Sequence, residues 1–206
     1  MCDILYISTE RSDCVLVCAK AYESKIQEKM QSIWYNVEYQ YYFDDSGRMS
    51  EWKMCFGNRM HFASVDDDGN LIGYITYAFS RDVDSCCCFG AMNFEKGTTN
   101  KFAIDLGQAI HDIFFKYNFT RMDFSCFSNN PALHGYRSFI KRYGGHEVGT
   151  FHRSAKSLDG TIQDTIMFEI LKEDLVKNTK SDSDKYKTKL ERDFKNKKDG
   201  VCIDSK

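Results

Sequence analysis

The chain has 206 residues, of which 42% are hydrophobic and 15% aromatic, and its 28 basic and 30 acidic side chains leave a formal net charge of −2. This length suits one domain with a short extension. The balanced charge excludes a global field that favours nucleic acid or an anionic membrane, and no segment approaches the roughly 20 consecutive apolar residues that span a bilayer.

The N-terminal part predicts a strand, a helix and an irregular aromatic stretch. The segment "CDILYIS" (Cys2 to Ser8) has the composition of a strand, and residues 33–58 predict a loop with one or two short helices. The opening "MCDILYISTERSD" is too short and acidic for a secretory signal, so we expect a cytoplasmic protein. Residues 11–32 predict a helix, with these side chains along one face: Cys14, Cys18, Ala21 and Tyr22.

Three strands of one meander follow. "RMHFASV" (Arg59 to Val65) and "NLIGYITYAFS" (residues 70–80) flank the turn signal "DDDG" and predict a hairpin. "DSCCCFGAMNF" (residues 84–94) predicts the third strand. Because this segment is almost wholly apolar, we expect it to be central in the sheet and covered on both faces.

The cysteine pattern indicates free thiols in a reducing compartment. Nine cysteines are present, and three of them, Cys86 to Cys88, are adjacent. Neighbouring residues of a strand point to opposite faces, so adjacent cysteines do not pair readily. No C-x-x-C pair accompanies a matching set of histidines, so we predict no zinc site. We expect the thiols to pack as small hydrophobic groups.

A helix, a strand and a second helix come next. "FTRMDFSCF" predicts a strand that is parallel to the central one if the helix before it is a right-handed crossover. The only proline, Pro131, then starts a helix that Asn129 or Asn130 caps. Gly144 and Gly145 end it. In the crossover helix, "EKGTTNKFAIDLGQAIHDIFFKYN", one face is apolar: Phe102, Leu106, Ala109, Ile110 and Ile113.

The chain closes with a hairpin and a polar extension. "HEVGTFHRSA" and "TIQDTIMFEIL" predict two strands around the turn "SLDG". Beyond Leu171 the composition becomes polar, and residues 185–198 hold seven basic and two acidic side chains. We predict a domain over residues 1–175 and an extension over residues 176–206. The extension is a solvated helix or, as the alternative, contacts nucleic acid or an acidic partner.

These elements and one short motif resemble a known superfamily. Asn129, Ala132 and Tyr136 hold the spacing N-x-x-A-x-x-x-Y, and "DGTIQDTIMFEILKEDL" is similar to the closing strand of the same proteins. Over residues 60–175 the chain resembles the GNAT superfamily of acyl-CoA-dependent N-acyltransferases. The resemblance implies an α/β (α+β) fold, a mixed, mostly antiparallel sheet of about six or seven strands flanked by helices, in the order β-α-α-β-β-β-α-β-α-β-β.

The resemblance also implies acetyl-CoA as the co-substrate. GNAT proteins hold its diphosphate with Q/R-x-x-G-x-G/A at a helix start, where backbone N–H groups and the helix dipole favour anions. Here the run "KGTTNKF" departs from that motif at two of its glycine positions. An ordinary capped helix start is the alternative. The expected diphosphate ligands are Gly97, Thr98, Thr99, Asn100 and Lys101.

The other expected site residues line the thioester. Tyr136 is expected to protonate the leaving thiolate, because a phenol is protonated at neutral pH. Packing of its ring against the sheet is the alternative, and Tyr143 is the second candidate acid. Asn129 is expected to bind the pantetheine arm from one side, opposite the exposed backbone of Met92, Asn93 and Phe94.

No general base is evident. The central strand carries no carboxylate or histidine, and Glu95 lies past its end. A thiol of Cys86 to Cys88 acting in a ping-pong reaction is an alternative, but no partner base accompanies it. We favour a water-relayed proton or an amine that arrives neutral. The histidines are expected in structural or surface positions: His61, His134, His146 and His152.

Side chains that contact the acceptor are expected in the N-terminal half, in "NVEYQYYFDD" (residues 36–45). Aromatic rings beside carboxylates suit a cationic amine, whereas hydrophobic packing with a solvated end is the alternative. The side chains concerned are Glu38, Tyr39, Tyr41, Tyr42, Asp44 and Asp45.

Together these features predict an N-acetyltransferase that moves an acetyl group from acetyl-CoA to a primary amine of a small molecule or peptide, by direct attack in a ternary complex. A non-catalytic module that binds CoA as a sensor, or binds a partner, is the first alternative. A protein whose basic extension contacts nucleic acid is the second. We expect no metal and no membrane contact, and the resemblance allows a homodimer without indicating an interface.

Overall fold

The computed structural model describes residues 16–33, 36–40, 54, 57–95 and 99–178. None of the helices in these ranges is long and apolar enough to cross a membrane. The α-helices are α1 (Glu23–Ile33), α2 (Thr99–His111) and α3 (Leu133–Tyr143), and residues 172–178 are also helical. The strands are β1 (Val17–Cys18), β2 (Arg59–Val65), β3 (Leu71–Ser80), β4 (Ser85–Asn93), β5 (Arg121–Phe127), β6 (His146–Lys156) and β7 (Ile162–Leu171).

These strands form one sheet in the order β1-β2-β3-β4-β5-β7-β6. All neighbouring strands are antiparallel except β4 and β5, which are parallel. A parallel pair needs a crossover connection, and α2 supplies it. The predicted mixed, mostly antiparallel sheet is therefore confirmed, with β4 at its centre.

The N-terminal part departs from the prediction. Val17 and Cys18, expected in a helix, form an edge strand that pairs with β2, and α1 begins only at Glu23. Valine is β-branched and favours extended backbone next to a sheet edge. In the described residues, the helix expected after α1 is a 3-10 turn, Val37–Tyr39. The strand predicted at Cys2 to Ser8 lies outside the described residues.

The sheet carries a hydrophobic core on each face. Ile75 of β3 belongs to the larger core, which includes side chains of α2 and α3, while its neighbour Tyr74 belongs to a smaller core that includes side chains of α1. Consecutive strand residues point to opposite faces, so α2 and α3 cover one face and α1 covers the other. Leu175 is fully buried in the larger core, so the helical residues 172–178 pack on the domain.

The turn before α3 and the C-terminal end of α3 follow from the local sequence. The side-chain oxygen of Asn130 accepts a hydrogen bond from the Ala132 N–H at 2.8 Å, so Asn130 rather than Asn129 caps the turn that holds the proline. At the other end, Gly144 adopts a φ of +84°, and its N–H donates to the Ile140 carbonyl at 2.8 Å. The predicted start of α3 is wrong, because the helix begins two residues after Pro131 and its N-cap residue, Ala132, makes no side-chain cap hydrogen bond.

Candidate functional site

β4 and β5 pair with each other over only the first part of their length. Their pairing runs from Ser85 opposite Arg121 to Phe89 opposite Phe124. Beyond this point β4 continues to Asn93 as a partner of β3, and β5 continues as a partner of β7. The two parallel strands therefore diverge and leave a gap between their C-terminal ends, called the β4–β5 cleft below.

A β-bulge in β4 lies at the point of divergence. Between the pairs Thr76–Gly90 and Ala78–Cys87, two residues of β4 stand opposite one residue of β3. The pairing with β5 contains the same irregularity. Cys88, inside the bulge, has a φ of +51°. A bulge bends a strand and increases its twist, so this one directs the end of β4 away from β5.

The bulge changes which side chains of β4 are covered. Cys86 is fully buried, whereas Cys88 is exposed and Phe89 is half-buried. The expectation that this strand is covered on both faces is therefore wrong at Cys88, where the bulge exposes the side chain, whereas Met92 further along is buried. The five cysteines within the described ranges are free thiols, as predicted: Cys18, Cys86, Cys87, Cys88 and Cys126.

Burial also decides the chemistry of two of these thiols. It raises the pKa of the Cys86 thiol well above its ordinary value, and it raises the pKa of Cys87 as well. A thiol reacts as a nucleophile in its deprotonated form. Because both groups stay protonated at neutral pH, neither is prepared for the thiol-based, ping-pong alternative.

The backbone of β4 alternates between bonding β3 and facing the cleft. The N–H of Phe94 donates to the carbonyl of Ile72 on β3 at 2.8 Å, so it does not point into the cleft. In an antiparallel ladder every second residue bonds the same neighbour, which puts Met92 in the same set as Phe94. Ala91 and Asn93 therefore direct their backbone N–H and C=O groups away from β3, toward the cleft.

The start of α2 lies against the end of β4. A Cβ at Gly73 would lie 2.3 Å from the Phe102 ring and 2.8 Å from the Met92 carbonyl oxygen, so only glycine allows this approach. Thr99 is the first residue of α2. Of the other expected diphosphate ligands, Gly97 and Thr98 lie outside the described residues.

Lys101 is the expected diphosphate ligand whose side chain the structure describes. Its ammonium lies 2.6 and 2.7 Å from the two carboxylate oxygens of Asp105. Asp105 is only 3% exposed and also accepts a hydrogen bond from the Ser64 hydroxyl of β2 at 2.6 Å. The ion pair thus ties the first turns of α2 to the sheet and partly neutralises the charge of Lys101.

Asn129 and Tyr136 lie near the end of β5. Asn129 is exposed in the turn that follows this strand. The ring of Tyr136 packs on Phe124 with the ring centroids 5.4 Å apart, and Phe124 is the last β5 residue that pairs with β4. Tyr136 is therefore adjacent to the opening of the cleft. Tyr143, two turns further along α3, is 3% exposed and belongs to the larger core.

A buried histidine lies two strands away from the cleft. His61 of β2 has its Nδ1 2.5 Å from the Tyr74 hydroxyl and 3.2 Å from the Thr76 hydroxyl. The Thr76 hydroxyl donates to the Met60 carbonyl, and burial raises the pKa of Tyr74 to about 12. The Tyr74 hydroxyl therefore donates to Nδ1, and His61 packs as a buried side chain of the sheet.

The structure describes only Glu38 and Tyr39 among the residues that were expected to contact the acceptor. Glu38 is exposed and Tyr39 packs against the smaller core, while the other aromatic and acidic residues expected there lie outside the described residues. Beside the end of β4, the Glu95 carboxylate pairs with the Lys29 ammonium of α1 at 2.7 Å. Glu95 is the carboxylate nearest to the end of β4 in the sequence, and this ion pair engages it.

No protein-family model matches the chain, and no curated protein matches it. Solved structures do. A spermidine/spermine N-acetyltransferase from Vibrio cholerae is similar over 59% of this chain and 70% of its own, with 19% identity and a TM-score of 0.50. A variant of the spermidine N-acetyltransferase from the same organism is similar over 60% and 70%, with 21% identity and a TM-score of 0.50. A probable GNAT-family acetyltransferase from Chromobacterium violaceum covers 57% and 61%, with 17% identity and a TM-score of 0.48.

Proposed function

Because the chain has the GNAT fold, we propose that it is an N-acetyltransferase that moves an acetyl group from acetyl-CoA to a primary amine of a small molecule or peptide. The observation that carries this proposal is the β4–β5 cleft. Unpaired backbone groups in the middle of a sheet cost free energy when they are buried, and an added strand-like ligand would satisfy them. The cleft offers those groups to an extended ligand instead.

The residues present fit two polar parts of acetyl-CoA, the amides of the pantetheine arm and the diphosphate. The cleft-facing N–H and C=O groups of Ala91 and Asn93 can bond the amides of the pantetheine arm as an added strand would. Asn129 approaches from the β5 side. The diphosphate is assigned to residues 97–101 as the sequence predicts, because α2 begins at Thr99 and the first turn of a helix favours an anion through its N–H groups and dipole. Met92 and Phe94 contribute buried side chains that hold this end of β4 in place.

The proposed reaction is direct attack in a ternary complex. The amine nitrogen forms a bond to the thioester carbonyl carbon, the carbon–sulfur bond breaks, and the sulfur leaves as a thiolate. The Tyr136 hydroxyl supplies the proton that the thiolate takes up. The nitrogen, positively charged after its attack, loses one proton to water, and Tyr136 regains a proton from water, so the products are the amide and CoA. Cleft-facing backbone N–H groups are suited to stabilising the oxyanion that forms in between.

A non-catalytic, CoA-binding module remains the second candidate. It is favoured by the ion pair between Lys101 and Asp105, which occupies the cation expected at the diphosphate. It is also favoured by Thr98 and Asn100, which stand where acyltransferases of this fold carry glycine.

The first experiment measures melting temperature with and without acetyl-CoA, followed by amine acetylation read as thiol release. Acetyl-CoA at a hundred times its dissociation constant is expected to add about 2.7 kcal/mol to the free energy of unfolding. Tyr136→Phe is expected to keep this shift and to lower kcat by about 100-fold, with Tyr117→Phe as the control. A shift without turnover on any amine selects the sensor, and no shift at millimolar acetyl-CoA rejects both candidates.

A further inference from the structure

Two adjacent thiols lie side by side at the β4 bulge. In a regular strand consecutive side chains point to opposite faces, so Cys88 would share a face with Cys86 and point away from Cys87. The structure differs, because Cys88 has a φ of +51° inside the bulge, and a bulge re-aims the side chain that it contains. The Cys87 thiol accordingly donates a hydrogen bond to the Cys88 sulfur. The two sulfurs are therefore neighbours.

Exposure separates this pair from the third cysteine of the run. Cys88 is exposed and Cys87 is half-buried, whereas Cys86 is fully buried. A small oxidant in solution therefore reaches Cys88 first and finds the thiol of Cys87 beside it. An accessible cysteine next to a second thiol that resolves it is the arrangement of redox-sensing sites.

The pair also lies where the β4–β5 cleft begins. The backbone N–H of Cys88 donates to the Asp123 carboxylate of β5 at 3.4 Å, and the Arg121 guanidinium donates to the other oxygen of that carboxylate at 3.0 Å. The next residue, Phe89, is opposite Phe124 in the last pair between the two strands. A covalent change at Cys88 therefore alters the backbone at the start of the cleft.

Closing the pair into a disulfide is chemically balanced when a peroxide is the oxidant. The Cys88 thiolate attacks a peroxide oxygen, the O–O bond breaks, and Cys88 becomes a sulfenic acid. The Cys87 sulfur then attacks the sulfur of Cys88, the S–O bond breaks, and water leaves. The two thiols lose two protons and two electrons in total, and hydrogen peroxide is reduced to two molecules of water.

A disulfide between adjacent residues is readily reversed. Cα atoms joined by a trans peptide lie about 3.8 Å apart, which is below the range of roughly 4.4–6.8 Å that bridged cysteines usually show. The resulting strain makes the bond easier to reduce. Transient disulfides of this kind are the ones that serve redox sensing in a reducing compartment.

We propose that Cys87 and Cys88 are an oxidation site for peroxides, which close the pair into a disulfide and thereby weaken acetyl-CoA binding in the adjoining cleft. The physical reason is that the new ring changes the backbone at Cys88, and with it the direction of Ala91 and Asn93. The effect on acetyl-CoA rests on the proposed function. The formation of the disulfide does not, because it needs neither the cofactor nor an acceptor.

The first experiment tests the modification. The full chain is treated with hydrogen peroxide, and the tryptic peptide of residues 82–96 is analysed by mass spectrometry. This peptide is expected to become lighter by two hydrogen atoms and to regain them with dithiothreitol. Cys87→Ser and Cys88→Ser are expected to lose this change, and Cys18→Ser, which removes an exposed thiol of β1, is expected to keep it. A disulfide that persists in Cys87→Ser, a bond to another cysteine, or Cys88 oxidised only to the sulfinic acid overturns the inference.

The second experiment measures the melting shift with acetyl-CoA before and after peroxide treatment. The oxidised wild type is expected to show a smaller shift, which dithiothreitol restores, whereas Cys87→Ser and Cys88→Ser are expected to keep the full shift after the same treatment. An unchanged shift in wild type that carries the disulfide overturns the effect on the cleft. If the reduced protein shows no shift, the proposed cofactor is rejected, while a disulfide within the pair still supports the oxidation site.

Discussion

The two ends of β4 have opposite environments although the residues look alike. At the first end, Ser85 and Cys86 are buried and paired on both sides, with β3 and with β5. At the other end, Ala91 and Asn93 pair with β3 alone and face the cleft. The change occurs at Cys88, inside a run of three identical side chains. One extra residue in a strand therefore accompanies the change from a closed sheet to an open cleft.

The largest effect is expected where α2 packs on the open end. Gly73→Ala places a Cβ within 2.8 Å of the Met92 carbonyl and closer still to Phe102. Overpacking of this kind is expected to cost about 3 kcal/mol, measured by urea unfolding. Gly90→Ala is the matched control, because its Cβ would lie 3.7 Å from the nearest atom, on Thr76. Equal loss of stability in both variants would contradict the close packing of α2 on the strands.

The bulge itself provides the second prediction. A β-branched residue is strained at positive φ, so Cys88→Val is expected to lose about 1–2 kcal/mol. Because the bulge shapes the cleft, this variant should also show a smaller melting shift with acetyl-CoA. Cys88→Gly accepts the same φ without strain and is expected to keep both the stability and the shift. If valine behaves as glycine does, the conformation of Cys88 does not create the cleft.

The reactivity of the cysteine thiols distinguishes the closed end of β4 from its open end. Iodoacetamide at about pH 8 is expected to label the exposed Cys88 and to leave Cys86 unlabelled in the folded protein, because burial both excludes the reagent and raises the thiol pKa of Cys86. Peptide mass mapping measures the two sites, and labelling in denaturant shows that both can react. Early labelling of Cys86 would mean that this end of the sheet opens too.

The smallest effect is expected in the exposed turn between β2 and β3. The side chain and N–H of Asn70 donate to the Asp66 carboxylate at 3.0 and 2.7 Å, which lowers its pKa from the ordinary 3.8. A lowered folded-state pKa stabilises the fold above that value and ceases to do so as the pH falls below it. The small difference in melting temperature between wild type and Asp66→Ala should therefore shrink below about pH 4, with the acetyl-CoA shift at neutral pH unaffected.

The sequence predicted the elements whose causes are local. The apolar faces of the strands, the crossover helix, the turn before α3 and the glycine that ends α3 depend on residues within a few positions of each other, such as Asn130 and Ala132. The helix predicted over residues 11–32 was wrong at Val17 and Cys18, because pairing with β2 outweighs a weak helical pattern.

The candidate site also contains some residues that the sequence could predict and others that it could not. A local motif was enough to select Tyr136, which the structure places beside the last pair between β4 and β5. Its role as the acid stays a prediction. No local signal distinguishes the hydrogen-bonding directions of Phe94 and Asn93, because these depend on the register with β3.

By itself the sequence determined the order of the elements, the parallel crossover and the short helix behind the lone proline, because backbone propensity, capping and hydrophobic period are properties of neighbouring residues. Only the tertiary structure decided that β4 bulges at Cys88 and that α2 lies against Gly73. Register and contact between distant segments arise from the packing of the whole sheet, and a linear pattern does not contain them.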